Sequence, residues 1–185
     1  MIRIARSRSP VGINKNFTGH GLLNKLSLLA QAHANGPIAW TGTLGDWKKM
    51  KPALRRESFN KCAYCEANTA VVAHGDVEHF RPKSIYWWLA FCVDNYVFAC
   101  QLCNQTHKGD RFPVFGGRLA EPKMPNPLPT AAAERKQALA ALCPDPAAVD
   151  DLQLLKLWAK ESACLPHPYL EDPEELFAWK EISIP

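Results

Sequence analysis

The stretch Gly75–Ser84, GDVEHFRPKS, sets the carboxylate of Glu78 beside the imidazole of His79, between a valine and a phenylalanine. Val77 and Phe80 give it strand character, and on a strand adjacent side chains point to opposite faces. Glu78 and His79 therefore cannot share one surface. They can serve the two sides of one reacting group, the carboxylate reaching a cation held against a neighbouring helix and the imidazole reaching a water.

Cysteines bracket this stretch. Cys62 and Cys65 in KCAYCE form one C-x-x-C pair, and Cys100 and Cys103 in ACQLCN form a second. No segment exports the chain to an oxidising compartment, so a disulfide framework is not expected. One such pair alone could be a redox motif. Two read best as a four-thiolate tetrahedral zinc site built from two knuckles, with an insert between them that carries the opening stretch. Cys92, Cys143 and Cys164 lack this spacing and are expected as small buried hydrophobes.

Of the 185 residues 47% are hydrophobic and 22% charged, which excludes a disordered chain and allows a real core. The net charge of +4 permits an anionic partner without requiring one. No run approaches the roughly 20 apolar residues of a membrane span, and MIRIARSRSPVGINKNF lacks the apolar core of a signal peptide. A cytoplasmic protein is expected.

Leu22, Leu23, Leu26, Leu29 and Ala30 recur at helical spacing, with Asn35 and Gly36 as a stop and His33 as a solvated residue near the end. A second apolar face runs through Trp47, Met50, Leu54 and Phe59, among Lys48, Lys49, Lys51, Arg55 and Arg56. Those five bases read equally as a solvated face or as a phosphate-facing patch. Pro52 breaks or kinks that helix. NYVFAC has strand propensity, and NQTHKGDRF reads as a short helix stopped by Gly109. The proline-rich stretch FPVFGGRLAEPKMPNPLPT is a loop or linker, AAAERKQALAAL and AAVDDLQLLKLWAKES are helices, and CLPHPYLEDPEELFAWKEISIP returns to loop and strand signals.

Hydrolysis of a phosphodiester needs a base to activate water and a cation to stabilise the developing charge. His79 suits the first. Glu78 and the side-chain oxygen of Asn104, directly after Cys103, suit a hard cation such as Mg²⁺ or Mn²⁺, whereas four thiolates suit Zn²⁺. Asn95 can hydrogen-bond the backbone or ring of His79 and orient it. Trp87 and Trp88 are candidates for base stacking, with core packing the stronger reading for at least one. His20, His74 and His167 lack partners in spacing, and His107, one turn beyond Asn104, is read first as solvent-facing.

KCAYCE, VEHFRPKS and DNYVFACQLCNQTHKGDRFP resemble the HNH endonucleases with paired C-x-x-C knuckles, in particular the branch of Septu and retron-type anti-phage defence systems that works with an ABC- or AAA-like ATPase. The resemblance is dense from Cys62 to Pro113 and thinner outside it. It implies an α+β fold: a ββα-metal core over 61–115 with a four-cysteine structural zinc site, an N-terminal helical region over 1–60, and a proline-rich linker and helical extension over 116–185. It implies Glu78 and Asn104 as ligands of the catalytic cation, His79 as general base, Asn95 as the middle asparagine and Lys108 as a base that meets the phosphate. Cys62, Cys65, Cys100 and Cys103 become the structural zinc ligands, while Pro82 and Ser84 form the turn. Many members have Asp at the position of Glu78 and His at that of Asn104, and related chains continue where this one ends. The implied activity is metal-dependent cleavage of nucleic acid, DNA before RNA, leaving 5′-phosphate ends. A zinc-knuckle module that binds nucleic acid or protein without cutting stays open beside it. So does a subunit whose task is docking to an ATPase.

Overall fold

A computed structural model describes residues 1, 3–9, 12–69 and 74–176. The first helix, α1 (Gly19–Ala34), buries Leu22, Leu26, Leu29 and Ala30 as the spacing predicts. Its amino end is capped from far along the chain. Asp145 accepts hydrogen bonds from the backbone N–H of Gly19 at 2.6 Å and the hydroxyl of Thr18 at 2.7 Å, the groups an anion at a helix start satisfies. Lys25 on the buried face reaches Asp46 at 3.1 Å and lies over the rings of Phe17 and Phe91.

The second predicted helix divides. Gly42–Met50 winds as a 3₁₀ helix, and α2 (Lys51–Glu57) starts where Pro52 occupies its first turn. Proline therefore opens this helix rather than breaking it, because its missing N–H lies among those without a partner in any first turn. Trp47, Met50 and Leu54 are buried as expected. Phe59 is not: it lies beyond the helix end with its ring in solvent.

Strand β1 (Gly75–His79) pairs antiparallel with β2 (Tyr96–Cys100), in the register Gly75 to Cys100 and His79 to Tyr96. Among the described residues the sheet has these two strands, and the short wide helix Leu102–Lys108 follows β2 directly. Gly75 is required here, since a Cβ on it would run into the ring of Phe98. Between the strands, Trp87 and Trp88 are both buried, which removes them as free stacking surfaces. Ile85 and Tyr86 donate backbone N–H bonds to the Pro82 carbonyl, the expected turn. His33, expected in solvent, stacks on Trp87 with ring centroids 3.8 Å apart, and both rings bond to Glu121 of the proline-rich stretch.

Helices α3 (Ala132–Ala140) and α4 (Asp151–Trp158) lie in the predicted segments, α4 opening on a capping box between Asp150 and Gln153. One continuous apolar cluster runs from Ile4 to Leu170, so the three stretches of the chain share a core. Two buried ionic knots tie them. Arg6 pairs with Glu57 at 2.7 Å and donates to the Tyr96 carbonyl at 2.7 Å, while Tyr169 donates to the same glutamate at 2.9 Å. Glu161, fully buried, accepts from Arg81 Nε at 2.6 Å, from the Tyr86 hydroxyl at 2.5 Å and from Leu119 N at 3.2 Å. Cys92 and Cys143 are buried as expected, but Cys164 is exposed. Part of the loop before β1, residues 70–73, and the strand signals after Leu176 lie outside the described residues.

Glu161→Ala is expected to lower stability by about 3 kcal/mol or more, because it strands the Arg81 guanidinium among the rings of Trp158 and Phe112. The double variant Arg81→Met with Glu161→Leu should recover most of that loss. Urea unfolding curves measure both, and equal midpoints for parent and Glu161→Ala would remove this knot from the account of stability.

Candidate metal and catalytic site

The first knuckle is a tight hairpin. Cys62 N donates to the Ala67 carbonyl at 3.0 Å, Glu66 N donates back to Cys62 at 2.9 Å, and Ala63 N donates to the Phe98 carbonyl at 2.8 Å. The last bond ties the hairpin to β2, whose final residue is Cys100. In the second knuckle Cys103 N donates to Cys100 Sγ at 3.5 Å. The four sulfurs of Cys62, Cys65, Cys100 and Cys103 all lie within 4.8 Å of one another, with Cys65 and Cys100 at 3.8 Å. Four thiolates at zinc–sulfur lengths of about 2.3 Å span tetrahedron edges of about 3.8 Å, so the residues fit a structural zinc ion. Burial pushes the Cys62 and Cys103 thiols upward, and the charge of neighbouring sulfurs adds to the rise. A cation among them reverses that cost.

The β1 pleat does what adjacency requires. Glu78 faces the short helix and His79 faces the core. Both are buried, at 6% and 5% exposure. Around His79 stand the ring edges of Trp47 at 5.0 Å and Tyr96 at 5.2 Å. Its Nε2 lies 3.1 Å from the carbonyl of Ala90, to which the Tyr96 hydroxyl also donates. A carbonyl oxygen only accepts, so Nε2 carries the proton and Nδ1 the lone pair. Burial pushes His79 down to about 3, the Ala90 carbonyl opposing and Lys83 and Lys108 adding to the fall. The imidazole is therefore a neutral base in a fixed tautomer.

On the other face, Lys108 Nζ stands 2.5 Å from Glu78 Oε1 and donates to the carbonyls of His79 at 3.1 Å and Gly109 at 3.3 Å. Burial pushes the Glu78 carboxyl upward, with Lys108 and then Lys83 holding it back. Lys108, which the resemblance implies as a base that meets the phosphate, is here a buried counter-ion to the acid. The distance between its charge and the carboxylate explains this, because a buried glutamate needs a partner. Asn104, one turn earlier on the same helix, is half-buried, and its side-chain amide makes no hydrogen bond to the described residues. Asn95 is fully buried. Its Oδ1 accepts from Arg81 N at 2.7 Å, its Nδ2 donates to the Arg81 carbonyl at 3.0 Å, and its own carbonyl accepts from Phe80 N at 2.8 Å. It thus clips the backbone just after His79 and does not touch the ring.

His20, His74 and His107 are exposed, while His167 is buried with Nε2 3.0 Å from the Asp94 carbonyl, a structural histidine. Three contributors escape sequence reading. The Ala90 carbonyl is backbone and carries no residue signal. Trp47 reads only as apolar. Lys83, in the opening stretch itself, lies over the rings of Trp40 at 5.8 Å and Trp47 at 5.3 Å.

The purified protein is expected to carry one equivalent of zinc by elemental analysis, and Cys65→Ser to lose it together with thermal stability. A zinc-free parent of unchanged melting temperature would contradict this. Acid should also unfold the chain. His79 titrates near 3 when folded and near 6.5 when free, and His167 is likewise lowered by burial. The unfolded chain then binds more protons below pH 6.5. For His79, stability is complete above that value and falls by up to about 1.4 kcal/mol per pH unit as the pH drops from 6.5 towards 3, and His167 acts in the same direction. Urea midpoints equal at pH 7 and pH 5 would mean that both rings titrate freely.

Comparison with known proteins gives two relatives. The chain is 34% identical to the Septu protein PtuB of Bacillus mycoides (strain KBAB4) over 80 residues, 36% of this chain and 27% of that protein. It is 30% identical to the Septu protein PtuB of Bacillus thuringiensis over 127 residues, 66% of this chain and 44% of that protein. No protein-family model and no solved structure matches. The alignments span less than half the length of either relative, so the chain is similar to part of the Septu protein PtuB in each of two Bacillus species.

Proposed function

We propose that this chain is a metal-dependent HNH endonuclease that hydrolyses nucleic-acid phosphodiester bonds. The observation that carries the reading is the His79 tautomer. A neutral imidazole, its Nε2 proton committed to the Ala90 carbonyl, keeps its Nδ1 lone pair for a proton from water. Asn95 fixes the backbone that follows, and Glu78 pairs with Lys108 on the short helix that also bears Asn104. The donor types of Glu78 and Asn104 fit a hard divalent cation, Mg²⁺ or Mn²⁺. When bound, such an ion stabilises charge on the phosphate and the leaving oxygen. Lys108 then either shares the Glu78 carboxylate or turns from it toward the phosphate.

The similarity to two proteins named Septu protein PtuB supports a place in anti-phage defence. An ATPase partner is what the sequence resemblance adds. Burial of both groups, with the Trp47 ring packed against His79, supports a nuclease that stays latent until a partner releases it. The same burial and the Lys108–Glu78 pair also favour a second reading, a zinc-knuckle module that binds nucleic acid or protein without cutting.

Plasmid DNA and total RNA incubated with the zinc-loaded protein, with and without an ATPase partner, in Mg²⁺, Mn²⁺ or EDTA, separate these readings. Cleavage that requires the cation and falls at least about 100-fold in His79→Gln is expected. Glutamine keeps a donor for the Ala90 carbonyl, so the fold is controlled. Cleavage that survives the substitution sinks the His79 mechanism, and silence under every condition favours the binding module.

A further inference from the structure

Phe59 is the anomaly of the surface. Its ring is 74% exposed, directly before the first knuckle. Phe59 and Asn60 hold successive backbone φ values of 53° and 61°, a left-handed pair that side chains rarely adopt. The conformation is held from all sides. Phe59 N donates to Arg56 at 3.1 Å, Asn60 N to Arg55 at 2.9 Å and Lys61 N to the buried Ser58 at 2.9 Å, while Thr69 donates both its N–H and its hydroxyl to the Asn60 carbonyl. The Asn60 side chain accepts from Arg55 Nε at 2.8 Å. A local conformation that costs free energy is kept, and its effect is to lift an aromatic ring into water.

The charge around the ring has one sign. Arg55, Arg56 and Lys61, all within four residues of it in the chain, are exposed. The neighbouring acids are engaged elsewhere: Glu57 inside with Arg6, Asp46 with Lys25 and Lys49, Glu66 with the amino terminus. At the far end of α2, Lys51 Nζ stands 3.9 Å from Asp76, two residues before Glu78 on the same strand face. The helix that carries the tip spans about 10 Å, within reach of a few nucleotides from that acid.

We infer that the Phe59 tip is a stacking platform for an unpaired base, with Arg55, Arg56 and Lys61 on the flanking phosphates. The preferred substrate class is then single-stranded or locally unpaired nucleic acid. An exposed ring among cations that no acid neutralises is how sequence-tolerant single-strand sites are built, since every base has a π-face and the backbone supplies the charge. A protein partner would call for an apolar surround instead of three cations. The inference rests on the nucleic-acid reading above, and binding tests it apart from cleavage.

Fluorescence anisotropy without added Mg²⁺ or Mn²⁺, on labelled single-stranded DNA, RNA of the same sequence and duplex DNA, measures it. Phe59→Ala should weaken single-strand binding roughly tenfold or more while duplex binding stays unchanged, and Phe59→Trp should restore it. The DNA and RNA arms show which backbone is preferred. Circular dichroism and zinc content check the fold of each variant. Equal single-strand affinity of parent and Phe59→Ala overturns the platform, as does a parent that binds none of the oligonucleotides or a ring serving a protein contact alone. Tight binding that depends on Phe59, with no cleavage under any condition, keeps the platform and sinks the nuclease.

Discussion

Two strands of five residues cannot hold themselves in water, and the rest of this structure answers to that constraint. The pairing of Gly75–His79 with Tyr96–Cys100 survives because it is fastened at both ends. At one end four cysteine sulfurs gather knuckle, strand and helix around a point a zinc ion fits. At the other, the Asn95 side chain closes on the backbone of Arg81. The acid and base that suggest chemistry sit between these fastenings, on the one segment of strand the molecule takes most trouble to hold.

Around the hairpin the chain wraps in layers that carry buried charge inward. Arg6 arrives from the amino end, Glu57 from α2 and Tyr169 from the far end, and they meet beside Tyr96. Arg81, two residues after His79, meets Glu161 from the turn that follows α4. Such pairs are weak evidence for net stability, because desolvation opposes their attraction. Their use here is registration: each leaves a costly unpaired charge unless segments more than fifty positions apart arrive together.

Much of the site was legible beforehand. The periodic leucines of α1, the spacing of the four cysteines and the strand character around Glu78 and His79 rest on local physics: side-chain period, metal geometry and the pleat. The failures share another cause. Phe59 fits an apolar face by spacing, yet the helix ends first and a left-handed turn carries the ring outward. Lys108 reads as a base for phosphate, and the sequence gives no sign of its pairing with Glu78, buried on the strand that faces its helix. His33 belongs to a helix end, and only the returning proline-rich stretch brings Glu121 to it.

By itself, then, the sequence determined which elements form and which side chains are fit for metal and proton chemistry, since propensity, spacing and donor type are properties of neighbours along the chain. Tertiary structure alone decided the state of those groups. It set the tautomer of His79 through a backbone carbonyl eleven residues away, the counter-ion of Glu78 and the packing of His79 against Trp47. The physical reason is distance. A pKa, a tautomer and an exposure are set by whatever lies within a few ångströms in space, and for these residues those neighbours come from parts of the chain that no local pattern connects.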